Sequence, residues 1–268
     1  MLISSPQNPR VKQAIALRNR SEREETGLTR VEGYEEVRFA IGAGVKPGSL
    51  FFCPALFQDA RQADLLAEVR QRGAEMLEVN ERVFEKLAYR EGADGWLLIC
   101  PFPAVSLSSL HLQPRPFVVV ADGLEKPGNL GAILRTADAA GVDALISADG
   151  VTDWGNPNVV RASKGAVFSV AVIQASSAET IAWLHDHAIQ IVVATPRAEL
   201  VYTDADLSGA VAVVVGSEKY GAGSLWFERG NQAVRIPMSG RVDSLNVSTA
   251  AALLIYEVVR QRRARKSG

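Results

Sequence analysis

Apolar residues in the second half of the chain form short continuous runs, and the stretches between the runs have helical spacing. Phe117–Ala121 is nearly all valine, and Val211–Gly216 has the same character. Such runs are typical of strands buried on both faces, which occur in parallel sheets covered by helices. The pattern therefore predicts an α/β domain with a parallel sheet and helices on both faces. The predicted strands cover 117–121, 144–147, 170–173, 189–195, 211–216 and 233–236, and the predicted helices cover 130–140, 156–165, 181–188, 223–229 and 244–262.

The N-terminal part of the chain shows a weaker alternation of the same two elements. Residues 1–30 are typical of an arm followed by a short helix, in which Pro9 occupies the first turn and Asn8 the cap. This alternation predicts a small α/β domain. Its further helices are expected at 32–44, 59–72 and 80–88, and its strands at 50–53, 75–79 and 96–100.

A proline-rich segment separates these two parts. Its prolines are Pro101, Pro103, Pro114 and Pro116. Prolines at this density, among serine and leucine residues, are typical of a linker between domains. We therefore predict an N-terminal domain over residues 1–105, a linker over 106–116 and a second domain over 117–268.

Composition excludes a chain-wide electrostatic attraction for nucleic acids. Among 268 residues, 47% are hydrophobic and 22% are charged, and the formal net charge is −1. Any RNA binding must therefore come from local patches. Two segments are locally basic: the N-terminal arm with Arg10, Lys12, Arg18, Arg20, Arg23 and Arg30, and the C-terminal tail with Arg260, Arg262, Arg263, Arg265 and Lys266. For both, a solvated surface and RNA phosphate binding remain alternatives, and the solvated form of the tail would be a frayed end.

Cysteine and histidine usage favours a reduced protein without a metal site. Cys53 and Cys100 are expected to be free, buried thiols, as in a cytosolic protein. His111, His185 and His187 are scattered and lack metal-ligand spacing. No apolar run reaches the length of a membrane span, and the N-terminus lacks the apolar segment of a signal peptide. We therefore expect a cytoplasmic protein with no membrane partner.

Three loops follow predicted strands and are rich in glycine and polar residues. They are Asp122–Asn129, Gly216–Gly223 and Pro237–Asp243. Open α/β sheets bind their ligands at the carboxyl ends of the strands, so these loops are the candidate site. Neither a GxGxxG sequence after a strand nor a Walker lysine motif occurs, which argues against the standard modes of NAD or ATP binding.

Single polar residues near the first two loops keep alternative roles on composition alone. Asn129 lies where a helix N-cap is expected, so capping is one explanation for it. Arg135 follows in the next helix, and it is either ion-paired structurally or directed at an anion such as a phosphate. Glu218 is either a solvated residue or a carboxylate at the edge of a site.

The entry to the last predicted helix is polar, at Ser244-Leu245-Asn246-Val247-Ser248. Ser244 is a favoured N-cap, and capping alone would explain it. Asn246 is a poor residue for the first turns of a helix unless its amide has a partner. The long preceding loop, which contains Gly240, favours an additional role for this stretch.

In this order, the three loops resemble the three sequence motifs of the SpoU/TrmH family of SPOUT RNA methyltransferases. The resemblance covers residues 117–262. The N-terminal domain is more weakly similar to the substrate-binding domain of such enzymes, which is related to ribosomal protein L30-like folds, most clearly at EGYEEVRFAI. The motifs are matched by Asn129-Leu130-Gly131 through Arg135, by Gly216-Ser217-Glu218 with Gly221, and by Ile236-Pro237-Met238 with Ser244-Leu245-Asn246-Val247-Ser248.

The resemblance implies a fold, a cofactor and an assembly. The implied fold is a parallel sheet whose C-terminal part forms a trefoil knot, preceded by a small α/β L30-like domain. The implied cofactor is S-adenosylmethionine, held in the knot by backbone groups, and the implied assembly is a homodimer with shared active sites. Carried over by position, the cofactor-binding residues are Gly216, Ile236 and Leu245, with Thr195 and Met238 nearby.

The implied reaction is methyl transfer to a ribose 2′-hydroxyl, a weak acid that needs help in losing its proton. The family points to Arg135 as the base or its activator. Because a guanidinium stays protonated in proteins, we predict that Arg135 binds RNA phosphate and stabilises the developing alkoxide, and that a phosphate is the alternative proton acceptor. The residues expected to orient Arg135 and the ribose are Asn129, Glu218, Ser244 and Asn246.

The resemblance leaves three functions to distinguish. The leading one is ribose 2′-O-methylation of 23S ribosomal RNA, because the two-domain layout resembles the rRNA-modifying members. The first alternative is the same chemistry on tRNA. The second is a non-catalytic RNA-binding factor in ribosome assembly, which the retention of Arg135, Glu218, Ser244 and Asn246 disfavours.

Overall fold

The structure is a computed structural model that describes residues 2–59, 61–89, 91–103 and 105–265. The chain divides into two compact units. The first consists of Met1–Pro103 with Trp154–Ser169, and the second consists of Ala104–Asp153 with Val170–Gly268.

The first unit contains a mixed sheet with the strand order β1-β4-β3-β5-β2. Strands β1 and β3 run parallel to β4, whereas β5 runs antiparallel to both β3 and β2. The N-terminal α/β domain expected from the sequence is therefore present. The elements are β1 (Leu2–Ile3), α1 (Pro9–Ala16), α2 (Arg20–Thr26), β2 (Leu28–Glu32), α3 (Tyr34–Gly42), β3 (Ser49–Phe52), α4 (Arg61–Gln71), β4 (Glu75–Val79), α5 (Glu81–Leu87) and β5 (Trp96–Pro101).

The second half of the chain supplies the remaining elements. Helix α7 belongs to the first unit, and all the others belong to the second. They are β6 (Phe117–Asp122), α6 (Pro127–Ala140), β7 (Ala144–Ala148), α7 (Pro157–Ala162), β8 (Ala171–Ala175), α8 (Ser177–Asp186), β9 (Gln190–Ala194), β10 (Val211–Gly216), α9 (Ser224–Arg229), β11 (Gln232–Val234) and α10 (Val247–Ala264).

The sheet of the second unit is parallel throughout, with the order β11-β9-β10-β6-β7-β8. On one face, Val118 and Val120 pack in a cluster with Ile181 and Leu184 of α8 and Trp226 of α9. Helix α10 packs against α6 and β10 on the other face. The parallel sheet flanked by helices, which the continuous apolar runs predicted, is confirmed.

Strand β2 was missed by the hydrophobic pattern because Arg30 lies in its centre. Arg30 is only 1% exposed, and its guanidinium donates to the carbonyl oxygens of Ala14 and Leu87 and pairs with Glu32. Burial lowers the pKa of Arg30 to about 10, so it stays charged near neutral pH. A buried arginine is tolerated only with such partners, and sequence alone does not show them.

Helix α7 packs against β2 within the first unit. Thr29 is fully buried, and its hydroxyl donates to the carbonyl oxygen of Gly155 at 2.8 Å. Phe168, which follows α7, packs against Phe102 with ring centroids 6.3 Å apart. Residues 154–169 are thus part of the first unit, although the linear pattern placed them in the second domain.

The basic C-terminal segment is not a frayed end over its described residues. Helix α10 continues to Ala264, and Lys266 lies outside the described residues. Arg260 pairs with Glu257 at 2.7 Å, and Arg265 pairs with Asp206 at 2.9 Å. Arg262 donates to the carbonyl oxygens of Pro116 and Gly209 and lies over the Phe117 ring, and burial lowers its pKa. Arg262 and Arg265 thus fix the helix to its own unit, whereas the Arg260 pair lies within the helix.

Both cysteines are free and buried, as expected. Burial raises the pKa of the Cys100 thiol to about 12 and also raises the pKa of Cys53, so both are protonated and unreactive near neutral pH. Among the described residues, no helix combines the length and hydropathy of a membrane span.

Candidate active site

The candidate site lies at the carboxyl ends of neighbouring strands in the second unit. Gly216 at the end of β10 is in register with Asp122 at the end of β6, so the loops that follow them start side by side. The buried Asp122 carboxylate accepts hydrogen bonds from the Gly223 N–H at 2.8 Å and from the Ser177 hydroxyl at 3.0 Å. Asp122 thereby fixes the end of the 216–223 loop to the end of β6, from which the first loop starts.

Three predicted site residues from three separate loops form one hydrogen-bond network around Glu218. Its Oε1 accepts from the Asn129 side-chain amide at 2.8 Å and from the Asn246 amide at 2.9 Å. The Asn246 amide also lies 3.3 Å from Oδ1 of Asn129. Oε2 of Glu218 forms an ion pair with Lys126, a residue that the sequence did not single out.

These donors lower the pKa of Glu218. The hydrogen bonds from Lys126 and Asn129 and the lysine charge hold the pKa of Glu218 below its usual value. The carboxylate is therefore an acceptor near neutral pH and is not suited to act as a general base. The favourable interaction with Lys126 exists above the ordinary carboxylate pKa and is lost as the pH falls through the lowered pKa.

For the methyl transfer that the resemblance implies, we expect Lys126→Met to move the acid limb of the kcat/KM profile to higher pH. Removal of the ammonium group lets the pKa of Glu218 rise toward its ordinary value, so the carboxylate protonates earlier on acidification. The measurement is the pH profile of kcat/KM. Glu218→Gln completes a double-mutant cycle. In the Glu218→Gln background, Lys126→Met should leave the acid limb of the profile where it is. A shift that persists in the Glu218→Gln background would contradict this link.

Asn246, and not Ser244, is the N-cap of α10. The Asn246 Oδ1 accepts from the Ser248 N–H at 3.0 Å and from the Ser248 hydroxyl at 2.6 Å. With Oδ1 used in capping, its amide nitrogen is free to reach Glu218. Ser244 lies before the helix, and its hydroxyl contacts Asp243 at 3.4 Å. The interpretation of Ser244 as a cap is therefore wrong, because the helix begins at Val247.

Asn129 is not a cap either. Helix α6 begins at Pro127, and its N-cap position is Lys126. Proline is well suited to the first turn, because its missing N–H would have no helical partner there. Asn129 consequently lies inside the first turn, where its side chain is available for the Glu218 network.

Arg135 lies on the exposed surface of α6. Within the described residues its guanidinium makes no hydrogen bond or ion pair, so the structural alternative of a buried ion pair is not realised. It also makes no hydrogen bond to Asn129, Glu218 or Asn246 there. The unpaired guanidinium is available to an anion from outside the chain.

A cavity of about 790 Å³ opens beside the Glu218 network. Ser244 lies on its wall together with Glu218. All residues predicted from the resemblance to bind the cofactor line this cavity, namely Thr195, Gly216, Ile236, Met238 and Leu245. The volume is typical of a pocket for a small organic ligand.

The segment between β11 and α10 contributes five residues to the cavity wall, namely Ile236, Met238, Asp243, Ser244 and Leu245. Within the described residues, the backbone N–H and C=O groups of Ile236–Leu245 make no hydrogen bond. Backbone polar groups in folded proteins are normally paired with protein, water or ligand. The half-buried side chains of Ile236, Met238 and Leu245 supply apolar surface next to these groups. The segment can therefore hold a ligand that has both polar edges and apolar faces.

Sequence reasoning missed Lys126 and Ser248 as members of the site. Ser248 has a weak local signal, because a serine two residues after an asparagine cap can donate to it. Lys126 has none, because its partner Glu218 is distant in the sequence and meets it only through the β6–β10 pairing. Among the described residues, no cluster of histidine, cysteine and carboxylate side chains is arranged to hold a metal ion.

Comparison with protein-family models gives two matches that together cover most of the chain. Residues 116–256 match the model described as the SpoU rRNA Methylase family. Residues 8–98 match the model described as the MRM3-like substrate binding domain.

Curated relatives and solved structures resemble the chain over most of its length. The 23S rRNA (guanosine-2′-O-)-methyltransferase RlmB of Haemophilus ducreyi is 34% identical over 78% of this chain and 87% of its own. The 23S rRNA (guanosine(2553)-2′-O)-methyltransferase RlmP of Bacillus subtilis is 27% identical over 96% and 98%. A crystal structure of an RNA 2′-O ribose methyltransferase is 39% identical with a TM-score of 0.84, covering 98% of this chain and 100% of that one. The AdoMet-bound rRNA methyltransferase from Sinorhizobium meliloti is 30% identical with a TM-score of 0.87, covering 97% of each chain.

Proposed function

The chain belongs to the SpoU rRNA Methylase family, and we propose that it methylates a ribose 2′-hydroxyl of 23S ribosomal RNA with S-adenosylmethionine. The observation that carries this proposal is the position of the Asn129–Glu218–Asn246 network at the edge of the cavity. The relatives that share both parts of the chain act on 23S rRNA by name. Residues 1–105 serve as the RNA-binding domain, a role that the MRM3-like match supports.

The cavity residues fit S-adenosylmethionine. The unpaired backbone of Ile236–Leu245 offers donors and acceptors to the polar edges of a nucleoside and an amino acid. Ile236, Met238 and Leu245 offer apolar contacts to its faces. Thr195 and Gly216 complete the wall at the ends of β9 and β10. When bound, the cofactor supplies a methyl group that is already activated on a sulfonium.

The residues of this chain position the ribose and stabilise charge. Arg135 binds an RNA phosphate and stabilises the alkoxide that develops on the 2′-oxygen. The proton passes to an acceptor other than Arg135, because its guanidinium stays protonated. Glu218, paired with Lys126, fixes the amides of Asn129 and Asn246, so these amides are preorganised for the ribose. Ser244, on the cavity wall two residues before Asn246, orients the ribose.

We further propose that the C-terminal part forms a trefoil knot and that the enzyme is a cytoplasmic homodimer. The long unpaired segment between β11 and α10, which returns the chain to α6, supports the knot. Leu253 and Tyr256 support the dimer, because they lie 39% and 50% exposed on successive turns of α10. Exposed apolar side chains of this kind are typical of a subunit interface. The free thiols of Cys53 and Cys100 suit a reducing compartment.

Two measurements test the proposed function. Calorimetry should detect S-adenosylmethionine binding to the purified full-length protein, and light scattering should give twice the chain mass of 28.8 kDa. Maps of 2′-O-methylation in rRNA and tRNA, from cells with and without the gene, should differ at a 23S rRNA position. A change confined to tRNA would support the tRNA alternative. Absence of cofactor binding by a folded protein would support the non-catalytic alternative.

A further inference from the structure

Tyr220 is the most exposed of the large hydrophobic side chains in the described part of the chain, at 76%. It lies in the loop between Gly216 and Gly223 and lines the mouth of the cavity, two residues after Glu218. Neither the motif resemblance nor the Glu218 network assigns a role to it. A tyrosine this exposed at the edge of a reaction site is available to a ligand from solution.

Hydrogen bonds fix the backbone of the loop at Tyr220. Ser217 and Gly221 exchange backbone hydrogen bonds of 3.0 and 2.8 Å, and the Tyr220 N–H donates to the Ser217 hydroxyl at 3.2 Å. Gly221 has a φ of +72°, which closes the turn after the tyrosine. Asp122 fixes the far end of the loop through Gly223. A side chain on so constrained a loop loses little backbone entropy on binding.

Lys219 places a cation over one face of the same ring, which leaves the opposite face for a ligand. Its Nζ lies 4.8 Å from the centroid of Tyr220. The pair thus presents an aromatic face and a positive charge within one short segment. Proteins recognise unpaired nucleotides with this combination, since the base stacks on the aromatic ring and the cation attracts the phosphate.

We propose that Tyr220 is a stacking platform for an unpaired nucleobase of the RNA substrate. This inference rests on the proposed function and adds a residue that positions the RNA next to the Glu218 network. The adenine ring of the cofactor is a less suitable occupant. Tyr220 lies at the exposed mouth, whereas the apolar side chains of Ile236, Met238 and Leu245 are half-buried in the wall.

The first test compares Tyr220→Ala, Tyr220→Leu and Tyr220→Phe in the full-length protein, with in-vitro-transcribed 23S rRNA as the probe. Loss of one stacked base weakens binding roughly 5- to 150-fold, so we expect this increase in the RNA Kd and KM for the Ala and Leu variants. Phenylalanine keeps the ring and should restore wild-type values. The cofactor Kd and the molecular mass should stay unchanged in all three.

The second test places a fluorescent reporter at the same position. Trp96 and Trp226 are fully buried, Trp154 is 4% exposed and Trp183 is half-buried, so the emission of the new indole is obtained as the difference between the variant and the wild type. Tyr220→Trp should add red-shifted emission that 23S rRNA quenches and that S-adenosylmethionine alone leaves unchanged. Stacking on a base quenches indole directly, whereas a purely structural role for position 220 gives no such signal.

The outcomes separate this inference from the function on which it rests. Wild-type protein that neither binds S-adenosylmethionine nor methylates the transcript would refute the proposed function. Wild-type methylation with unchanged RNA affinity in Tyr220→Ala would refute the stacking role alone. A weakened cofactor Kd in Tyr220→Ala would assign the ring to the cofactor, and a halved mass would assign it to a subunit interface. Either result overturns the inference.

Discussion

Arg135→Ala should strongly reduce methyl transfer and leave cofactor binding intact. The guanidinium is exposed on α6 and makes no ion pair within the described residues, so its removal costs the fold little. Loss of one charged group that stabilises a developing oxyanion typically lowers kcat about 100- to 1,000-fold. Loss of the phosphate contact adds to this effect by raising KM for RNA. The measurements are single-turnover methylation of 23S rRNA and calorimetry with S-adenosylmethionine.

Arg135→Lys is the matched control for this prediction. It keeps the positive charge but loses the planar group that binds a phosphate through two parallel hydrogen bonds. We expect the lysine variant to keep partial activity. The RNA affinity of the alanine variant should depend less on salt concentration than that of the wild type, and that of the lysine variant should depend on it almost normally. Near-normal turnover by Arg135→Ala would refute the role assigned to this residue.

Gly216→Ala should greatly weaken cofactor binding while the sheet remains folded. A Cβ at position 216 would lie 1.9 Å from the Ala222 backbone nitrogen and 2.0 Å from the Gly221 carbonyl carbon. Both are backbone atoms, so the 216–223 loop has to move away from the strand end. The displaced loop no longer presents its backbone groups to the cofactor, so we expect the cofactor Kd to rise by at least about 10-fold, which is about 1.4 kcal/mol.

Gly209→Ala is the matched control, because a Cβ there meets no atom within 4 Å and the residue lies in the same unit. It should bind S-adenosylmethionine like the wild type. Circular dichroism and the unfolding midpoint establish that both variants fold. Unchanged cofactor affinity in folded Gly216→Ala would remove the 216–223 loop from the cofactor wall.

The hydrophobic pattern was sufficient for the fold of the second unit, because both faces of its sheet are covered. A run such as Val211–Gly216 contains no polar residue, so it cannot be mistaken for a loop. The pattern failed at β2, where Arg30 is buried through carbonyl partners that are distant in sequence. The pattern also gives no information on the contacts of residues 154–169, because an amphipathic segment does not indicate which core it packs against.

The motif residues that the sequence singled out lie close together in the structure, and their roles stay predictions. Asn129, Glu218 and Asn246 meet in one network, and the predicted cofactor residues line one cavity. The roles of caps were less predictable, since Ser244 and Asn246 are both good N-caps and only the course of the preceding loop selects Asn246. Lys126 entered the site through strand pairing, which local sequence does not encode.

The position of α7 has a consequence for recombination between relatives. Residues 154–169 lie inside the stretch that matches the methylase family, 116–256, yet they complete the N-terminal compact unit. A chimera joined at residue 105 would therefore combine a foreign β2 with the native α7 and lose the fit of Thr29 to Gly155. Exchange of RNA specificity between homologues should succeed when residues 154–169 are exchanged together with the N-terminal segment. The exchanged unit is therefore encoded by two separate segments of the gene.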